Sequence, residues 1–185
     1  KKGMARGVFS NEAGLGSSVI AHSASETKEP VKQGLWGIFE VFFDTFIICT
    51  LTALLVLTTF VSNGEIETFT ASSSDAATSL AAFNENFGMF GTVCFAIILP
   101  LFAFTTILGW CVYGERSAIF LFGDRVLKPF RILYTIVVPI GALAQLDLVW
   151  ILADTFNALM AFPNLIGVLL LSPVVFKTVE ESTRP

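Results

Sequence analysis

The sequence predicts an all-α membrane protein with about four transmembrane helices, preceded by a segment in which a helix is left unwound. Three observations carry this. Hydrophobic residues make up 54% of the chain and charged residues only 14%, a balance that soluble domains of this size do not show. Several stretches approach the roughly 20 apolar residues needed to cross a bilayer. The charged residues gather between those stretches.

The first element is residues 1–33, read as a broken-helix segment with its link to the first span. Its centre, RGVFSNEAGLGS at 6–17, holds three glycines, Asn11 and Glu12 and no long apolar run, yet it comes just before very hydrophobic sequence. A surface loop is one reading; a backbone left unwound beside a binding site is the other. Residues 36–60 form the first span, with Glu40, Asp44 and several threonines as its polar exceptions. Residues 62–86 are a polar linker rich in Ser, Thr and Ala, with a short helix expected at 75–83 that Ser74 or Asp75 caps. The second span is 87–112, with Pro100 near its middle. A link at 113–129 follows, amphipathic over 115–127. The third span, 130–146, holds Pro139 and Gly141, and the fourth, 148–171, holds Pro163. Residues 172–185 form a charged, polar tail.

The eleven Lys and Arg test this topology. Lys1, Lys2, Arg6, Lys28 and Lys32 precede the first span; Arg116, Arg125, Lys128 and Arg131 lie between the second and third; Lys177 and Arg184 follow the fourth. The 62–86 linker has none and collects Glu65, Glu67, Asp75 and Glu85. The positive-inside rule then makes the N-terminal end, the 113–129 link and the tail cytoplasmic, and the 62–86 linker extracellular. The chain opens on Lys1-Lys2 without an initiator methionine or signal-peptide pattern, so it reads as a piece of a longer membrane protein. Cys49, Cys94 and Cys111 all lie in apolar stretches and read as buried small hydrophobes.

Polar groups at membrane depth are costly, so they face a cavity, a partner or an ion path. Glu40 and Asp44 are four apart and share a helix face. Two carboxylates there ask for a cation, a proton or a basic partner. A cation at Asp44, with Thr45 adding an oxygen, is one reading; a protonated Asp44 bonded to a neighbouring helix is the other. Thr105 and Thr106 are adjacent, and Trp110 follows Thr106 by four. Hydroxyl oxygens suit a hard monovalent cation, and the indole walls a pocket; threonines bonding their own preceding carbonyls are the plain alternative. Asn157 and Asn164 suit interhelical bonding. Asp154 lies one turn inside Trp150. His22, the lone histidine, reads as interfacial, with a proton relay as the second reading. Gly14-Leu15-Gly16 has no strand before it and is no nucleotide loop. No nucleophile-histidine-acid set, metal-ligand spacing or nucleic-acid signature is present, so an enzyme is not expected.

RGVFSNEAGLGS, PVKQG at 30–34, VFFDT at 41–45, LFAFTTILGW at 101–110, YGE at 113–115 and LMAFPNLI at 159–166 together make the chain resemble the sodium:alanine symporter family, the alanine or glycine:cation symporters. The resemblance runs along nearly the whole chain. It implies the C-terminal part of a LeuT-like inverted-repeat transporter, with the four spans as core helices seven to ten. Residues 10–17 would be the unwound middle of helix six and 17–27 its inner half-helix. In LeuT such half-helix ends face the substrate carboxylate.

By that resemblance Ser10, Asp44, Thr105 and Thr106 serve sodium, and Asn11, Glu12, Gly14, Gly16, Thr106 and Trp110 line the substrate site. The implied activity is sodium-coupled symport of alanine or glycine across the plasma membrane by alternating access. Na+ is the coupling ion, and the partners are lipid and the N-terminal helices this chain lacks, without which it is expected to be inactive. A proton-coupled amino-acid transporter, with Asp44 or Glu12 protonated, and a channel or non-transporting membrane scaffold are the alternatives. One departure is Glu12, charged where relatives of the wider fold carry a neutral residue.

Overall fold

The computed structural model describes residues 2–12, 14–64 and 75–184. The described residues are almost entirely helical and contain no strand. The helices are α1 (Lys2–Ser10), α2 (Ser18–His22), α3 (Pro30–Phe42), α4 (Cys49–Ser62), α5 (Asp75–Phe122), α6 (Leu127–Leu143) and α7 (Leu146–Thr183). A π-helical turn, Phe43–Ile48, joins α3 to α4, and a 3-10 turn, Asp124–Val126, leads into α6. Four stretches, Pro30–Ser62, Ala76–Phe122, Asp124–Leu143 and Leu146–Thr183, are long and apolar enough to cross a membrane. An apolar surface all round is what a helix needs in lipid, where its backbone groups bond internally.

Helix bounds differ from the sequence reading in four places. Residues 75–87 are helical, and the axis breaks at Gly88 (φ 58, ψ −145). α5 runs on to Phe122, so most of the expected 113–129 link is helix, ended by Gly123 at φ 77. The turn between the last two helices falls at 144–145, and α7 continues through the expected tail to Thr183. The ion pairs Lys177–Glu181 and Arg184–Glu180, each four apart, support that polar end. α2 stops at His22, short of the expected 27. Hydropathy marks membrane depth, whereas a helix ends only where its backbone finds a cap or a glycine. Ser74, offered as a cap, lies outside the described residues.

Contacts divide the chain into two compact units, Phe42–Gly109 and Lys1–Val41 with Trp110–Pro185. In the first, Val56 and Phe60 of α4 pack on Ala82 of α5. Asn86 donates to Thr59 Oγ1 at 2.7 Å and to the Ala82 carbonyl at 2.8 Å, so this polar pair sits satisfied beside the apolar cluster. In the second, Gly114 of α5 lets the Phe130 ring of α6 reach the helix backbone. One residue further, Arg131 grips Glu115 with two donors, at 2.5 and 2.9 Å.

The same unit fixes the direction of the broken helix. α6 separates the turn at 123 from the turn at 144–145, so the two turns mark opposite ends. Arg6 of α1 bonds Asp154 Oδ1 at 3.0 Å, and its guanidinium lies 3.6 Å from the Trp150 ring centroid. Phe9 meets Trp150 edge-on at 5.7 Å. Ile20, Ser23 and Ala24 share a cavity with Arg116, Ser117, Phe120 and Leu121. α1 therefore lies toward the 144–145 end and α2 toward the 123 end. Arg6 therefore does not lie at the same end as Arg116, Arg125 and Lys128, which departs from the one-sided charge count. The count treated 1–33 as one loop, whereas the broken helix carries the chain across.

The cysteines are free, as expected, but not buried within the chain: Cys49 is exposed and Cys94 and Cys111 are half-buried. Gly114→Val should lower stability by about 1–3 kcal/mol through the clash with Phe130. Thermal unfolding of the purified full-length protein in detergent checks this, and an unchanged midpoint would mean that α5 and α6 do not pack here.

Candidate functional site

α1 ends because its last turn closes and does not propagate. Asn11 N–H bonds the Gly7 carbonyl at 3.0 Å, Leu15 N–H bonds the Glu12 carbonyl at 3.0 Å, and helical bonding resumes with Ile20 N–H to the Ser17 carbonyl. Between them the backbone turns left-handed three times, at Glu12 (φ 51), Gly14 (φ 78) and Gly16 (φ 82). Glycine adopts that region without cost; glutamate does so only where its surroundings hold it. Here they do. Ser17 Oγ donates to Glu12 Oε2 at 2.7 Å, and Tyr113 lies within electrostatic reach of the same carboxylate.

The break is also tied to α7. Asn164 Nδ2 donates to the Gly14 carbonyl at 2.9 Å. A Cβ on Gly16 would stand 2.5 Å from Asn164 Oδ1, and one on Gly14 would touch Leu165 at 3.4 Å. Both glycines thus answer two demands, dihedral and space. Leu15 and Ser17 are buried within this arrangement. Asn11 Oδ1 is buried and has no hydrogen-bond partner among the described residues. Ser10 closes α1 on the exposed side.

Asp44 and Thr45 lie on the π-helical turn, where the Cys49 N–H reaches five residues back to the Asp44 carbonyl. Such one-turn widenings recur at functional sites because they leave backbone and side-chain oxygens off the regular ladder. Thr45 Oγ1 is buried with no hydrogen-bond partner among the described residues. Thr105 donates back to the Leu101 and Phe102 carbonyls at 3.1 and 3.0 Å, the ordinary membrane-threonine bond. Its hydroxyl oxygen still carries lone pairs. Thr106 is exposed, and Trp110 meets Tyr113 edge-on at 5.7 Å. Ser10, Asn11, Glu12, Gly14, Gly16 and Trp110 belong to one unit; Asp44, Thr105 and Thr106 belong to the other.

The sequence missed two partners. Asn164, read as an interhelical bonding residue, does bond across helices, from α7 to the Gly14 carbonyl, whereas Tyr113, beside the break on α5, had no signal but the polar group inside YGE. The Arg6–Asp154 pair joins residues 148 apart, which no local pattern announces. Glu40, read as a companion to Asp44, faces His22 across 3.9 Å. Among the described residues no three His, Cys, Asp or Glu side chains group as a metal site.

A family model described as the sodium:alanine symporter family matches residues 1–184. An uncharacterized transporter of Haemophilus influenzae is 44% identical over 98% of this chain and 39% of its own length. The sodium/alanine symporter AgcS of Methanococcus maripaludis is 43% identical over 94% of this chain and 37% of its own. The probable sodium/glutamine symporter GlnT of Bacillus subtilis is 38% identical over 99% and 37%. The chain therefore spans under two-fifths of these relatives' lengths.

Gly16→Ala should destabilise the intact protein by about 1–3 kcal/mol, since a Cβ meets both the Asn164 amide and a left-handed backbone. Adding Asn164→Ala should recover part of the loss, because it removes the clash and leaves the dihedral. Thermal melts of the two single variants and the double variant make the cycle; strict additivity would rule out the contact.

Proposed function

Because the chain belongs to the sodium:alanine symporter family, we propose that it supplies half of the binding site of a sodium-coupled carrier of alanine or glycine. The observation that carries this is the pair of buried oxygens, Asn11 Oδ1 and Thr45 Oγ1, that lack partners among the described residues. A buried polar atom left unpaired costs free energy unless a ligand uses it. These two fall in the unwound segment and the π-helical turn, the two places where the backbone also departs from a regular helix.

In this reading Ser10, Asp44, Thr105 and Thr106 serve sodium, with Thr45 beside Asp44. Asn11, the glycine-opened backbone at 14 and 16, Thr106 and Trp110 serve the amino acid. Glu12 holds the shape of the segment through Ser17. Na+ is cargo as well as driver, and each ligand strengthens binding of the other. The remaining helices of a LeuT-like inverted-repeat fold supply the opposite wall. The turn at 123 and the end of α7 face the cytoplasm, and the 144–145 turn faces outward. Alternating access then moves the site between the two ends.

Thr106→Ala in the full-length protein should raise the sodium concentration for half-maximal alanine uptake by about tenfold, equivalent to roughly 1.4 kcal/mol. Thr106→Ser keeps the oxygen and should keep most activity. Thr45→Val should weaken sodium dependence similarly without lowering thermal stability, since the hydroxyl has no internal bond to lose. The measurement is uptake against sodium concentration in proteoliposomes at matched protein content; unchanged sodium dependence in both variants would sink the reading.

A further inference from the structure

Beyond carriage of sodium and an amino acid, we propose that His22 is a proton-sensitive clasp between the inner half of the broken helix, α2, and the first span, α3. His22 is the only histidine of the chain and the last residue of the five-residue α2. Its ring lies against positions 33, 37 and 40 of α3, which share one helix face. Gln33 Nε2 is 2.7 Å from Nδ1, and Glu40 Oε2 is 3.9 Å from Nε2. Gly37 stands between them. A Cβ there would sit 3.4 Å from Nε2, so the glycine forms the notch that the ring fills. Ser25 Oγ donates to Gln33 Oε1 at 2.9 Å, which ties the chain after α2 to the same amide.

This network has a definite response to a proton. With Gln33 donating to Nδ1, the neutral ring carries its hydrogen on Nε2, toward Glu40. A proton taken from water at Nδ1 removes that acceptor. Gln33 then turns its amide to offer Oε1 to the ring, and Ser25 Oγ changes from donor to acceptor of the turned Nε2–H. The ring, now positive, faces the Glu40 carboxylate. An imidazole ordinarily changes charge between pH 5 and 8. The sign follows: the ion pair is present on the acid side and is lost as pH rises.

The other charges around α2 leave Glu40 as the partner. Tyr113 of α5 lies within electrostatic reach of both Glu12 and Glu40. Arg116 of α5 lines the opposite side of α2, across a cavity of about 570 Å³ shared with Ile20, Ser23 and Ala24. Glu29 and Lys32 neutralise each other at 2.9 Å. A helix of five residues has too few internal bonds to hold its own position. α2 is therefore held on its α3 side by His22 and has open space on its α5 side.

The test uses the full-length protein, made cysteine-free, with spin labels on cysteines replacing Glu26 and Ile38. Distances are read at about pH 5.5 and about pH 8, either side of the ordinary imidazole range. The expected result is a narrow, short distance on the acid side and a longer, broader one on the basic side. His22→Gln and Glu40→Gln should abolish the difference, and Gly37→Leu, which fills the notch, should give the long form at both pH values. Identical distributions in the unsubstituted protein, or a pH response that survives His22→Gln, would overturn the proposal. Where the reconstituted protein carries alanine, acid on the inner side should slow turnover by about threefold, the size that one exposed ion pair supports. His22→Gln should remove that dependence. The distance readout needs no transport, so a pH response without uptake would reject the carrier reading and retain the clasp.

Discussion

A helix interrupted at bilayer depth leaves amides and carbonyls that water does not reach, each costing several kcal/mol if unpaired. Much of what surrounds residues 11–17 answers that demand. Asn164 reaches in from α7 to the Gly14 carbonyl, Ser17 holds the Glu12 carboxylate from the foot of the restarted helix, and Tyr113 of α5 lies within electrostatic reach of it. The left-handed turns at Gly14 and Gly16 aim the freed groups at these partners. The Asn164 amide fills the space a side chain at 16 would take. The break is thus an assembled feature, held by elements far apart in the chain. Glu12, which the resemblance offers as a substrate-site residue, accepts from Ser17 within that assembly.

The two halves of the broken helix are anchored differently. α1 is held by Arg6, which lies between the Asp154 carboxylate and the Trp150 ring, with Phe9 adding an edge contact. The ion pair is partly exposed, at 39% and 43%, so it contributes at most about 1 kcal/mol; the cation–π contact adds about 0.5–1 kcal/mol. α2 is held by one imidazole in a glycine notch, beside a cavity. Unequal anchoring of this kind is what a hinge requires: one arm fixed, the other displaced at modest cost.

The apolar surface states the solvent for which the chain is built. Leu143 is 89% exposed and Phe120 88%, while the buried hydrophobic residues are Leu15, Val56, Phe60 and Ala82. Burial within the chain is too slight to hold these helices together in water. Lipid and neighbouring helices take the place of a core, and specific contacts set the packing: Gly114 under Phe130, Asn86 on Thr59, Arg131 on Glu115. Small residues and satisfied polar pairs do this work in membranes, where apolar burial between helices brings no net gain over lipid.

Composition and hydropathy by themselves determined the membrane environment, the helical class and the four spans, because bilayer thickness and backbone satisfaction leave few other solutions. RGVFSNEAGLGS was legible as a break because glycines beside a charged residue cannot continue an apolar helix unaided. The threonine pair was legible as a choice between two readings, and the structure shows the back-bonded form at Thr105. Only the tertiary structure decided what closes the break, since Asn164 stands 150 positions from Gly14. It alone set the π-helical turn at Asp44, for which no residue type is a signature. It alone placed Arg6 beside Asp154 at the end away from the 123 turn, where counting charges along the chain had put it with the others. A charge count registers sequence order, and an unwound helix crosses the bilayer without the apolar run that such a count needs to see a crossing.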